Sequence, residues 1–122
     1  MLILNLLLYS LFFYGSVNRR NIKRKLCLIG LVQDHHIIPY EYRNYIKNSK
    51  ILTSIHDSKN IMMLPNTYGK LLINTTRPIH ENGHKQYNKY VKLLLDNYPI
   101  DEVYLFLRLQ LINNDNNIIK LN

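Results

Sequence analysis

The chain has 122 residues, which suits one compact domain and leaves no room for a second full domain. Sixteen lysines and arginines against eight acidic residues give a net charge of +8, which favours an anionic partner such as nucleic acid or an acidic membrane surface. The single cysteine, Cys27, excludes an internal disulfide and a cysteine-based zinc site, so any metal must be held by His, Asp, Glu or Asn.

Residues 1–17 are uncharged and mostly apolar, and a basic cluster follows them directly. The segment lies at the lower limit for a membrane-spanning helix, for which about 20 residues are usual. It also lacks the basic region that precedes the apolar core of a signal peptide. A buried N-terminal helix and a membrane anchor therefore fit it equally well. As an anchor, it would hold residue 18 onward in the cytoplasm, because positive charges stay on that side.

The apolar run from Lys25 to Gln33 predicts a buried strand, and His35 and His36 follow it. Neighbouring residues of a regular strand point to opposite faces, so both histidines can serve one site only where the strand is ending. Pro39 favours such an ending.

Residues 40–74 predict, in order, a weak helix, a turn, a strand and a loop. Residues 40–50 show a weak helical spacing of apolar side chains, and residues 57–59 are typical of a turn. Asn60 to Pro65 predicts a second short strand, and residues 66–74 predict a loop.

A helix is predicted to begin within Thr75-Thr76-Arg77-Pro78, since threonine can cap exposed backbone amides and proline fits a first helical turn. His80 and His84 would then lie one turn apart on one face, close enough to bind one metal ion. Gly83 within that turn costs about 1 kcal/mol relative to alanine. Either the helix begins later, or a closely approaching ligand favours the missing side chain.

An apolar stripe at helical spacing continues to Pro99 and is typical of a core-facing helix. The acidic pair Asp101 and Glu102 favours one more helix, ending at Ile112, although alternating leucines there also fit a strand. Residues 113–122 form a polar tail.

Four of the five histidines stand in two clusters, DHHIIP and HENGH. Neutral imidazole ligates transition metals and also exchanges a proton near neutral pH, so two histidine pairs indicate metal-assisted acid–base chemistry. Each pair alone is a weak signal, because one packed and one exposed histidine is the usual explanation. Their combination, with Asn60 between them, is much less easily accidental.

The order HHIIP, then SKNIMMLP, then IHENGHKQYNKYV resembles the HNH nucleases of the ββα-metal, treble-clef type, and most of all their AHH-like branch. The resemblance covers residues 31–95, with Asp34 where the branch's name puts alanine. It implies an α+β fold, a small ββα-metal (treble-clef-like) nuclease core with flanking helices. The expected organisation is an apolar segment at 1–17, an HNH-like nuclease domain at 18–98, and a helix and tail at 99–122 that pack on the same domain.

The resemblance also implies a role for each motif residue. His36 matches the general base that activates water, and Asn60 matches the residue that orients this base through a hydrogen bond. The family's metal ligands correspond to His35, His80 and His84. They would hold one divalent ion, for which zinc, magnesium, manganese and nickel all stay open.

The expected partner is nucleic acid, double-stranded DNA held through its phosphates, with RNA as the alternative. Arg77 and Lys85 flank the predicted metal helix and are the expected phosphate contacts. His56 has no partner at metal spacing and is expected to be a surface histidine. The expected location is intracellular, in cytoplasm or nucleus, while membrane attachment through residues 1–17 and the oligomeric state stay open.

Three functions are therefore carried forward. The first is a metal-dependent endonuclease that hydrolyses phosphodiester bonds. The second is a non-catalytic, zinc-stabilised nucleic-acid-binding module, which needs the ligands but has no use for His36 and Asn60. The third, a membrane-anchored protein with incidental histidines, rests on residues 1–17 alone. Because both His36 and Asn60 are present, the endonuclease is favoured.

Overall fold

The structure is a computed structural model, and it describes residues 23–24, 27–73, 75–80 and 85–113. Within these residues, one antiparallel sheet is formed by strands β1 (Val32–His36) and β2 (Ile61–Pro65). Two 3₁₀ helices lie between the strands and three α-helices follow them: Tyr40–Asn48 and Ser58–Asn60, then α1 (Thr67–Leu72), α2 (Lys85–Asn97) and α3 (Ile100–Ile112). The predicted α+β class is confirmed for this part of the chain.

Strand β1 begins later than the apolar run that predicts it. Cys27 and Gly30 have φ angles of 57° and 81°, in the left-handed region that a strand does not use. The chain therefore turns before Val32, and the prediction of a strand from Lys25 to Gln33 is wrong in its start. The strand instead runs through His36, so it ends on the two histidines themselves.

Strand β2 confirms the second predicted strand, and both of its faces are covered. Met62 and Leu64 join the main core, while Met63 points to the other side and joins a smaller cluster. Because neither face meets solvent, β2 is an uninterrupted apolar run without polar alternation. Asn60 lies directly before it, at the end of the second 3₁₀ helix.

Helix α1 occupies a stretch for which a loop, 66–74, is predicted, so that prediction is wrong. Asn66 caps the helix, since its side-chain oxygen accepts a hydrogen bond from the Gly69 amide at 2.8 Å. A Cβ atom on Gly69 would lie 2.0 Å from the Leu31 carbonyl oxygen, so only glycine lets α1 pack this closely before β1.

Helices α2 and α3 complete the main core. The predicted apolar stripe of α2 is confirmed, and α3 is a helix, not the alternative strand. The helix does not start at residues 75–78, because residues 75–80 are not helical, and the alternative of a later start is the one observed, with α2 beginning at Lys85. His80 therefore lies before the helix. The His80 amide donates to the Pro65 carbonyl at 2.7 Å, so His80 is hydrogen-bonded to the last residue of β2. The tail beyond residue 113 lies outside the described residues.

The main core gathers residues from the segment just after β1, from the first 3₁₀ helix and the loop before β2, and from β2, α2 and α3. The first 3₁₀ helix is fastened to α2 by a hydrogen bond of 2.9 Å from the Tyr42 hydroxyl to the Asn88 carbonyl. The strand ends, the loop before β2 and the first turns of α2 are thereby held together. All the histidines that the structure describes lie in this region.

Candidate functional site

Strand β1 ends in two histidines with different surroundings. His35 is 1% exposed, whereas His36 is half-buried. Strand geometry sends neighbouring side chains to opposite faces, which accounts for the difference. His36 pairs with Ile61 in the last rung of the sheet, after which the main chain leaves it. One strand end therefore presents one imidazole to the interior and one towards solvent.

We call His35, His80 and Tyr87 the inner histidine group. The ring centroids of His35 and His80 lie 5.1 Å apart with an interplanar angle of 64°. The rings of His35 and Tyr87 also meet edge to face, with their centroids 4.7 Å apart. The Tyr87 hydroxyl donates to the Ile37 carbonyl at 2.5 Å. Burial, and then the nearby Tyr90, raises the pKa of this hydroxyl well above 10, so it stays protonated and keeps donating.

A glutamine sets the orientation of the second ring in this group. His80 Nδ1 lies 2.6 Å from Gln33 Oε1, and His80 itself is 8% exposed. An amide oxygen only accepts, so with this contact the proton sits on Nδ1, and Nε2 presents its lone pair. Metal-ligating histidines commonly have their other nitrogen held in this way.

Among the described residues, no group of three or more His, Cys, Asp or Glu side chains is arranged to hold a metal ion. His84, the third predicted ligand, lies outside the part of the chain that the structure describes. The two inner imidazoles fit the donor chemistry of a transition-metal site, because they are neighbours, they are buried, and Gln33 leaves one ring nitrogen of His80 with its lone pair.

Asn60 is fully buried and joins two main-chain segments. Its side-chain oxygen accepts from the Ile38 amide at 2.8 Å, and its side-chain nitrogen donates to the Ile38 and Ile55 carbonyls at 3.1 and 2.8 Å. The expected hydrogen bond from Asn60 to His36 is absent from these described contacts. Asn60 instead holds the backbone just after His36 and the residue just before His56.

We call His36, His56, Tyr40 and Arg43 the outer histidine group. His36 Nε2 lies 3.2 Å from His56 Nδ1, and the two rings meet edge to face at 5.3 Å. The other contact of His56 is stacking on Tyr40, at 5.6 Å and 26°. The Arg43 guanidinium lies 4.4 Å from the centre of the Tyr40 ring. A continuous row of contacts thus joins His36 to His56, Tyr40 and Arg43.

Two of these contacts are missing from the sequence-based prediction. Gln33 stands two residues before His35, and residues two apart share a strand face, so the periodicity of β1 contains a signal for it. His56 has no such signal. It reaches His36 only because the loop of residues 53–60 folds back over twenty residues of chain.

The two predicted phosphate contacts lie in unlike places. Lys85 is exposed at the start of α2, as a phosphate contact requires. Arg77 is 1% exposed, and its guanidinium donates to the Met63 carbonyl at 3.4 Å. This burial does not fit a surface contact, because the cation of Arg77 faces the sheet. Arg77 is therefore a residue of the interior.

The membrane question falls mainly on residues 1–17, which lie outside the described residues. In the described ranges, none of the helices combines the length and apolar character that crossing a bilayer requires.

A family described as AHH, a nuclease family of the HNH/ENDO VII superfamily with conserved AHH, has a model that matches residues 30–120. No curated protein and no solved structure matches the chain. Among the residues that the structure describes, the matched range includes β1, β2, both histidine groups and helices α1, α2 and α3.

Proposed function

We propose, from the premise that this chain belongs to the AHH family of HNH/ENDO VII superfamily nucleases, that it is a metal-dependent endonuclease whose general base is His36. The single observation that carries the assignment is the split at the end of β1, where His35 is buried beside His80 while the adjacent His36 faces solvent. A hydrolytic site needs both kinds of imidazole, one held in place and one open to water.

The inner group supplies the ligands in this proposal. His35 and His80, together with His84, would hold one divalent ion, with zinc, magnesium, manganese and nickel as the candidates. When bound, such an ion supplies positive charge that stabilises the negative charge developing on a phosphoryl group. Strands β1 and β2 with α2 would then correspond to the ββα-metal, treble-clef-like core.

The outer group supplies the proton acceptor. His36 removes a proton from a water molecule, whose oxygen attacks phosphorus in line as the bond to the leaving oxygen breaks. His36 is half-buried, so part of its imidazole is accessible to solvent. General-base assistance contributes about 10²–10⁴ in rate, so this single imidazole decides whether turnover is useful.

The substrate we propose is double-stranded DNA, with RNA as the alternative. The net charge of +8 favours a polyanion, and Lys85 adds an exposed cation at the N-terminal end of α2. Phosphate contacts of this kind position a duplex without reading its sequence. Arg77 is left out of this surface because it is buried.

The test is nicking of supercoiled plasmid by the full chain, with each of the four metals or a chelator, beside His36→Ala. We expect cleavage that requires metal and is lost in the variant, while circular dichroism and metal content stay unchanged. A folded, metal-loaded wild-type protein that binds DNA without cutting it would instead establish the non-catalytic zinc module.

A further inference from the structure

The loop that carries His56 is closed on both sides of that residue. The Asp57 carboxylate accepts from the Thr53 amide at 2.9 Å and from the Lys59 amide at 2.9 Å. Asn60 holds the Ile55 carbonyl from the interior. His56 is therefore presented from a short, internally bonded loop, and its backbone position does not depend on the imidazole.

The His56 ring is oriented by two contacts of different kinds. Its face stacks on Tyr40, which leaves the ring edge directed at His36. That edge places Nδ1 of His56 3.2 Å from Nε2 of His36, within hydrogen-bond distance. The loop, the stacking and the hydrogen bond together define where the His36 imidazole can lie.

This hydrogen bond also bears on which nitrogen of His36 can accept a proton. A neutral imidazole carries one proton, so one nitrogen donates and the other accepts. If His36 is to take a proton from water through Nδ1, its Nε2 must carry hydrogen, and that hydrogen needs an acceptor. Nδ1 of His56 lies at the right distance to accept it when His56 carries its own proton on Nε2. The opposite arrangement would place the proton on His36 Nδ1 and remove the base.

We propose that His56 is a positioning residue for His36: it accepts a hydrogen bond from Nε2 and so fixes both the orientation and the tautomer of the general base. This inference rests on the proposed function, and it assigns a role to a histidine that the sequence pattern leaves unassigned. Tyr40 supports His56 by stacking and acts one step further from the base.

Three substitutions of His56 in the full chain separate this role from a merely structural one. His56→Asn places an accepting oxygen at the same number of bonds from the backbone as Nδ1. His56→Gln carries the same amide one bond further out, and His56→Ala has no acceptor. Ser54→Ala, an exposed change in the same loop, is the matched control.

We expect kcat for plasmid cleavage to fall about 10–100-fold in the Ala and Gln variants, the range found when a partner that orients a functional histidine is lost. The Asn variant should retain most of kcat, and KM should change little in all three. Equal losses in Ala, Asn and Gln, or wild-type kcat in the Ala variant, would overturn the proposal.

Nitrogen NMR of the His36 ring gives a readout that does not depend on cleavage. We expect a protonated Nε2 in the wild type and the Asn variant, and a mixture of tautomers in the Ala variant. An unprotonated Nε2 in the wild type overturns the role of His56. If the wild type does not cleave at all, the proposed function fails, and this signal still decides whether His56 holds the tautomer of His36.

Discussion

The inner and outer histidine groups begin at adjacent residues of one strand but differ in burial and in the residues around them. His35 is packed beside His80 against a buried tyrosine. His36 meets His56, which stacks on a tyrosine that is 51% exposed. A buried imidazole held by its neighbours suits a fixed role such as ligation, whereas a half-buried one can meet water and substrate. A single strand end can therefore supply both functions, because its side chains alternate between faces.

The largest expected effects come from removing one imidazole of each group. His36→Ala should lower kcat by about 10²–10⁴ and leave the bound metal unchanged, because the outer group holds no proposed ligand. His80→Ala should lower cleavage as strongly and should also lower metal content. Both quantities are measured on the same preparations, by plasmid nicking and by elemental analysis.

This pair of variants tests whether metal ligation belongs to the inner group alone. Loss of metal in His36→Ala would place that imidazole among the ligands. Full metal content in His80→Ala would remove His80 from them. Circular dichroism of both variants excludes unfolding as the cause.

Asn60 is the residue on which the outer group depends, since it connects the backbone after His36 with the loop of His56. Asn60→Ala leaves buried amide and carbonyl groups of the main chain without their partner, and each such group costs about 1–3 kcal/mol. We expect the free energy of unfolding, measured in urea, to fall by about 3 kcal/mol.

The matched control for Asn60 is Asn97→Ala, which removes one exposed hydrogen bond to the Leu93 carbonyl. Its effect should stay within about 0.5 kcal/mol. Similar losses in both variants would mean that the buried hydrogen bonds of Asn60 contribute nothing beyond an exposed one.

A smaller effect is expected from the amide that orients His80. Gln33→Met removes the acceptor at 2.6 Å and keeps the length of the side chain. Metal affinity, measured by competition with a chelator, should fall about 10–100-fold. Gln33→Glu keeps an accepting oxygen and should retain the affinity. If the Met variant binds metal as tightly as the wild type, the inner group does not need this hydrogen bond.

The parts of the molecule that follow periodicity are those that the sequence predicts. The apolar run of β2 and the helical stripe of α2 each correspond to a buried face, and both are observed. The end of β1 at the histidines follows from Pro39, because proline disrupts strand pairing. The family match over residues 30–120 confirms the resemblance that the motifs indicate.

The features that the sequence does not predict depend on contacts between distant segments. Helix α1 forms where Gly69 allows close packing on Leu31, which no local pattern reveals. Arg77 is buried because its guanidinium reaches the Met63 carbonyl, although arginine is mostly a surface residue. His56 meets His36 only when the loop before β2 closes. Each of these features is determined by tertiary contacts and not by the local sequence.

The smallest expected effect lies away from both histidine groups. Asp101, in the first turn of α3, accepts hydrogen bonds from the Ser49 hydroxyl and, at 2.8 Å, from the Lys50 amide. Burial acts to raise the pKa of this carboxyl, but these hydrogen bonds outweigh it and hold the pKa below its usual value of 3.8.

A carboxyl whose pKa is lower in the folded state stabilises that state above its unfolded pKa, and the stabilisation is lost as pH falls through the folded value. We therefore expect Asp101→Asn to be less stable than the wild type at neutral pH, and the difference to shrink as the pH falls below 3.8 and through the lower pKa of the folded state. Urea unfolding across pH measures this difference. Asp96→Asn, which removes an exposed ion pair with Lys92, is the control and should change stability little. A difference between wild type and Asp101→Asn that persists in acid would show that the carboxyl acts through packing.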